Sequence, residues 1–109
     1  MTEKVLMNMR VKFLVAVLLL SISPALAASM KETSAGCITK DDLDQLSTIA
    51  REEDKVAFTK MVYSGFCRMF NKGSRVFVEK TPEYEPIECV RPEGGVACFW
   101  VMRRSVSAQ

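Results

Sequence analysis

The apolar positions of this chain change their period partway along it. Leu43, Leu46, Ile49 and Ala50 recur at helical spacing, and Ala57, Phe58, Met61 and Val62 form a second stripe of the same kind. Thr39 stands where an N-cap belongs. Asp41, Asp42 and Asp44 follow in the first turn, where negative charge meets the positive end of the helix dipole. The first helix should fade near Glu52 or Glu53, Asp54 could cap the second, and Gly65 suits the residue just past its end. Beyond Cys67 the period shortens. Asn71 to Ser74 reads as a turn, Arg75 to Glu79 as a short β-prone run, and Thr81 to Pro86 as a proline-bounded loop. Two further apolar runs, 87–91 and 96–101, flank Pro92-Glu93-Gly94-Gly95 as a β-hairpin. The pattern predicts an α+β fold: a helical hairpin over 39–65 packed on a three-stranded antiparallel meander over 75–101.

With Glu93 and Gly94 at the hairpin tip, Cys89 falls opposite Cys98, Ile87 opposite Trp100 and Arg91 opposite Val96. Ile87, Cys89, Cys98 and Trp100 would then share one face. The four cysteines, Cys37, Cys67, Cys89 and Cys98, have three possible pairings. The hairpin favours Cys89–Cys98. Two short helices joined tightly tend to lie antiparallel, which brings their outer ends, and so Cys37 and Cys67, together. A metal site is disfavoured, because there is no C-x2-C spacing and no histidine.

The cysteines bear on compartment only together with the N-terminus. Lys4, Arg10 and Lys12 precede an apolar run, Phe13 to Leu20; Pro24 and then Ala25-Leu26-Ala27 follow. This is the layout of a secretory signal peptide over 1–27, cut after Ala27 or, as the alternative, after Ala28, and the apolar run is short for a membrane span. Glu3 is unusual in such a segment, and Met7 or Met9 would give a cleaner start. An even cysteine count in a small exported chain implies a disulfide framework in an oxidising compartment. Residues 28–36 are small and polar and read as a flexible lead-in, 37–102 as one disulfide-stapled domain, and 103–109 as a frayed tail.

Removing the signal also changes the charge. Residues 28–109 hold 12 basic and 12 acidic side chains, so the full chain's formal charge of +2 belongs to the export segment. A neutral domain gives no support for nucleic-acid binding.

Candidate chemistry is sparse. Without histidine, and with each cysteine matched to a structural partner, a thiol nucleophile has no base. The carboxylate pairs Asp41/Asp44, Asp42/Glu53 and Glu83/Glu85 are better explained by helix capping and an exposed loop than by glycosidase geometry. No EF-hand spacing occurs. The reading is therefore no enzyme, no cofactor, no metal and no membrane span after cleavage. The best recognition candidate is Tyr84, between Glu83 and Glu85 on the proline-stiffened loop, because a stiff loop with an aromatic tip loses little entropy when it binds. Packing of Tyr84 on the sheet is the ordinary alternative. Trp100 is assigned to the core, and Met61, Met69 and Met102 need only packing to explain them.

Lys72-Gly73-Ser74-Arg75-Val76-Phe77-Val78 resembles the opening strand of bacterial SH3-like barrels, and Cys89-Val90-Arg91 with Phe99-Trp100-Val101 is similar to their closing strands. Gly36-Cys37, the Asp-rich helix, Ala57-Phe58, Ser64-Gly65-Phe66-Cys67, Gly73, Cys89-Val90-Arg91 and Cys98-Phe99-Trp100 together resemble small four-cysteine exported proteins of alphaproteobacteria, which carry no assigned activity. These resemblances imply compartment and architecture. The expected function is a monomeric, non-enzymatic binding module of the periplasm or envelope with a protein or cell-wall partner. The alternative is an effector secreted into host cells, with Arg103-Arg104 opening a basic export tail.

Overall fold

The computed structural model describes residues 25–108. Among them, seven strands form one antiparallel sheet: β1 (Leu26–Met30), β2 (Ser34–Cys37), β3 (Cys67–Phe70), β4 (Arg75–Lys80), β5 (Ile87–Pro92), β6 (Phe99–Met102) and β7 (Val106–Ala108). Helices α1 (Lys40–Arg51) and α2 (Lys55–Tyr63) link β2 to β3, and a 3-10 turn, Arg103–Ser105, links β6 to β7. The strand order is β3-β2-β6-β5-β4-β1-β7. The α+β class and both disulfides are as expected, but the sheet is larger than a three-stranded meander.

Of the four extra strands, β3 follows α2 directly, and the other three come from segments without an apolar run. The expected lead-in, 28–36, supplies most of β1 and β2, with Ala28 and Met30 buried. The expected frayed tail, 103–109, supplies the 3-10 turn and β7, with Ser105 and Val106 buried. Small residues suit these places because the sheet is crowded there. A Cβ on Gly36 would lie 2.7 Å from Val101 and 2.8 Å from Phe70. Of the expected export segment, residues 1–24 lie outside the described residues; Leu26 and Ala27 begin β1.

This order forces the sheet to curl. β1 and β2 are four places apart, ~19 Å across a flat sheet at ~4.8 Å per strand. Residues 31–33 are all that joins them, and the four peptide steps from Met30 to Ser34 reach ~14 Å at most. The same mismatch applies from β6 to β7. The short crossings also bind one another. Lys31 N–H donates to Ser105 O at 2.8 Å, Gly73 N–H to Met30 O at 2.8 Å, and Lys72 N–H to Thr33 Oγ1 at 3.1 Å. Ser105 Oγ–H donates to Glu32 Oε1 at 2.9 Å, so this buried hydroxyl is satisfied.

The curled sheet has two apolar faces. Ala28, Met30, Phe70, Val76, Val90, Val101 and Val106 form one core, against which Val78 and Phe99 pack. Cys37, Leu43, Leu46, Cys67 and Ile87 form the second, beneath the helices, with Phe58, Met61, Trp100 and Met102 partly buried against it.

Local signals place the helices well. Thr39 Oγ1 accepts from Asp42 N–H at 3.1 Å, and Asp54 Oδ1 from Ala57 N–H at 3.1 Å. Gly65, at φ +86, follows α2. The end of α1 is less ordinary. Glu53 N–H donates to Ala50 O and Asp54 N–H to Ile49 O, the bond pair of a Schellman cap, with Glu53 at φ 57 in the position that glycine normally takes. Glu53→Gly is expected to raise stability by roughly 0.5–1 kcal/mol, read from urea unfolding midpoints. A drop in the midpoint would mean that the Glu53 side chain contributes more than its backbone costs.

The hairpin register differs from expectation by two residues. Cys89 lies opposite Trp100, and Ile87 opposite Met102. A shift of two preserves the face, so Ile87, Cys89 and Trp100 still point toward the helices. Cys98 now bonds Cys89 from just before β6 rather than from the directly opposed position. Cys37 bonds Cys67 directly across β2 and β3, on either side of the two helices. Cys67, Cys37, Trp100 and Cys89 thus form one row across four neighbouring strands.

Candidate functional site

The loop between β4 and β5, residues 81–86, reaches α1 through one side chain. Lys40 opens the helix, and its Nζ donates to Glu85 Oε1 at 2.8 Å. The same Nζ lies 4.8 Å from the centroid of the Trp100 ring, within cation–π range. The row of cysteines beside Trp100 holds that indole in place, so the lysine spans a fixed floor and a loop. Both ionic partners are nearly half exposed, and the pair adds little to stability.

Arg103 holds the loop from the other side. Its Nη2 lies 2.6 Å from Pro82 O, 2.8 Å from Glu85 O and 3.3 Å from Ile87 O, and its backbone N–H donates to Pro86 O at 2.9 Å. One residue therefore anchors three carbonyls of the loop and the first carbonyl of β5. Arg103 Nε is buried without a hydrogen-bond partner; Glu88 Oε1 lies 3.5 Å away, an ion pair in distance only.

Glu88 carries the electrical consequence. Burial pushes its carboxyl above the ordinary value of 4.5, and Arg103 opposes that shift without cancelling it. A carboxyl whose pKa is higher in the folded state binds protons there more tightly than in the unfolded chain. Its contribution is therefore fully present below pH 4.5 and is lost as pH rises through the folded value. Glu88→Gln is expected to be at least as stable as the parent at neutral pH. The difference should shrink as pH falls toward 4.5, checked by urea midpoints across that range. A variant markedly less stable at neutral pH would show that the Arg103 ion pair outweighs the burial cost.

Between α1 and this loop lies a groove of about 590 Å³. Ala50, Pro86, Ile87 and Met102 are its apolar lining, and its charged lining carries both signs, Lys40, Arg51 and Arg104 with Asp44 and Glu85. It shares Ser47, Ala50 and Met102 with a smaller, more apolar cleft of about 220 Å³ that runs under α1 to Ala35 and Met69. Another cavity, about 550 Å³, lies where the two helices join and is lined by Ile49, Asp54, Lys55 and Phe58; the carboxylate of Asp54 is already engaged there as the cap of α2.

The expected binding residues divide. Glu85 lines the groove, held by Lys40. Tyr84 is 95% exposed, so it does not pack on the sheet. Glu83 is exposed on the same loop. The part that Lys40, Met102, Arg103 and Arg104 play at the loop and groove has no sequence signal, since nothing in their spacing ties them to residues 81–86. Arg103-Arg104 stands out in the sequence as a basic pair, which reads first as solvated charge continuing the last strand and second as an export tail. Among the described residues, no three His, Cys, Asp or Glu side chains converge as a metal site, and no helix is long and apolar enough to cross a membrane. Two disulfides fit folding in an oxidising environment. No protein-family model, no curated protein and no solved structure matches the chain.

Proposed function

We propose that this chain is an exported, non-enzymatic binding module of the bacterial periplasm or envelope, and that it recognises a protein or cell-wall partner through the 81–86 loop and the adjoining groove. The observation that carries the reading is the state of Tyr84: a nearly fully exposed aromatic on a loop whose backbone is held by Arg103. An aromatic presented this way offers a large contact area, and little loop entropy remains to be lost on binding. The groove beside it supplies an apolar floor with charges of both signs, which suits a partner with apolar and polar groups in alternation.

An SH3-like barrel is the architecture we propose for the module. In its favour, β1 pairs with both β4 and β7, β4-β5-β6 form a meander, and a 3-10 turn precedes the last strand. The segment carrying β2, both helices and β3 is then an insertion between the first two barrel strands. Export is supported by the N-terminal pattern and by the disulfides together.

The test is affinity capture from an envelope extract with the oxidised protein, run in parallel with Tyr84→Ser and Glu85→Lys. A partner recovered by the parent and lost with both variants, at unchanged far-UV dichroism, supports the reading. Recovery no better than background, or equal for parent and variants, rules out this loop as the contact surface.

A further inference from the structure

A second surface lies on α2, away from the groove. The helix buries no residue fully. Ala57, Phe58, Met61 and Val62 turn inward and are half-buried. Val56, Lys60 and Tyr63, spaced by four and three residues, share the outward face, with Val56 68% and Tyr63 86% exposed. The Ser64-Gly65 turn carries the exposure on to Phe66, 58% exposed. Phe66 O accepts from Ile38 N–H at 2.9 Å, which sets a further exposed apolar side chain, Ile38, beside it. The result is a run of aromatic and aliphatic tips on the outer surface of a helix and its exit turn.

Charge is distributed unevenly around it. From 55 to 78 the chain contains Lys55, Lys60, Arg68, Lys72 and Arg75 and no carboxylate, while the exposed Glu52, Glu53 and Asp54 cluster just before the start of α2. Lys55 and Lys60 are exposed on α2 itself, which carries no carboxylate, whereas Arg68 stacks over Phe70 and Phe99 on the other face of the sheet. Apolar tips interleaved with lysines, on a convex helix, complement a soft anionic plane: the rings enter the headgroup boundary while the ammonium groups reach lipid phosphates. Tyr63 has an apolar ring and a polar hydroxyl, the combination that favours this depth.

We infer that the outward face of α2, continued through Tyr63 and Phe66, docks on an anionic phospholipid surface. This contact is independent of the 81–86 groove and leaves that groove free.

The test is co-sedimentation of the oxidised full chain with vesicles of equimolar phosphatidylglycerol and phosphatidylcholine, compared with phosphatidylcholine alone. Binding should require the anionic lipid and weaken as salt rises. Tyr63→Ser combined with Phe66→Ser is expected to weaken it roughly tenfold, and Lys55→Glu with Lys60→Glu to remove the preference for anionic lipid. Far-UV dichroism and the urea unfolding midpoint should stay at parent values in both variants. Three results would each overturn the inference: no binding to anionic vesicles at low salt, binding unchanged by either pair of substitutions, or concentration-dependent self-association that the aromatic substitutions abolish, which would mean that a second copy covers the face.

Discussion

Replacing Phe70 with alanine is expected to lower the free energy of unfolding by ~3–5 kcal/mol, a large share of what a domain of this size possesses. Phe70 ends β3, is 1% exposed and meets Phe99 edge to face at a centroid distance of 5.8 Å. The Arg68 guanidinium closes the ring from outside at 4.6 Å. The site cannot collapse easily, because the side chain fills space that Gly36 leaves open on the neighbouring strand. That closeness yields a sharper expectation. Gly36→Ala alone overpacks against Phe70 and Val101 and should cost ~1–3 kcal/mol. In the double variant the missing ring makes room for part of the added methyl, so the two costs should fall short of their sum. Urea unfolding of the two single variants and the double variant measures the coupling. Strict additivity would mean that the two residues do not share the space.

Loss of the Cys37–Cys67 bond is the second large effect. It closes a loop with a sequence separation of 30 residues, against 9 for Cys89–Cys98. The chain-entropy relation assigns ~3.6 kcal/mol to the longer loop and ~2.6 kcal/mol to the shorter. Cys37→Ser with Cys67→Ser should therefore destabilise by ~1 kcal/mol more than Cys89→Ser with Cys98→Ser. The functional cost should differ as well. The longer loop contains both helices, so its bond holds the α1 wall of the groove against the sheet, whereas the hairpin bond holds only its own two strands. Trp100, the single tryptophan, reports on both, since it lies between Cys37 and Cys89 in one cross-strand row. Disulfides quench indole emission, so reduction should raise Trp100 fluorescence even before the chain unfolds. If removing the hairpin bond proved the costlier change, loop entropy would not be the governing term.

At the site, the backbone of the 81–86 loop depends more on Arg103 than on any residue of the loop itself. Glu83, Tyr84 and Glu85 can be picked out from their proline-bounded setting, because local composition marks a stiff exposed turn. Their anchoring cannot. It comes from a side chain 16 to 21 residues away, in what reads as a basic tail. Lys40 is hidden for the same reason: at the start of α1 it looks like ordinary helix polarity, and its contact with Glu85 spans 45 residues.

Whatever rests on neighbours in the chain could be read directly from the residues. The caps at Thr39 and Asp54, the stop at Gly65, both apolar stripes, the turn at Pro92 to Gly95 and both cysteine pairings involve short loops or periodic spacing, where few geometries compete. The positions of Ala28, Met30, Gly36 and Val106 could not be read this way. Their segments are too short and too small in side chain to carry a period, and they become strands because a curled sheet offers them unpaired backbone and a core to fill. The two-residue slip of the hairpin has the same origin: the loop left several registers open, and pairing with Cys37 and packing beneath the helices selected among them.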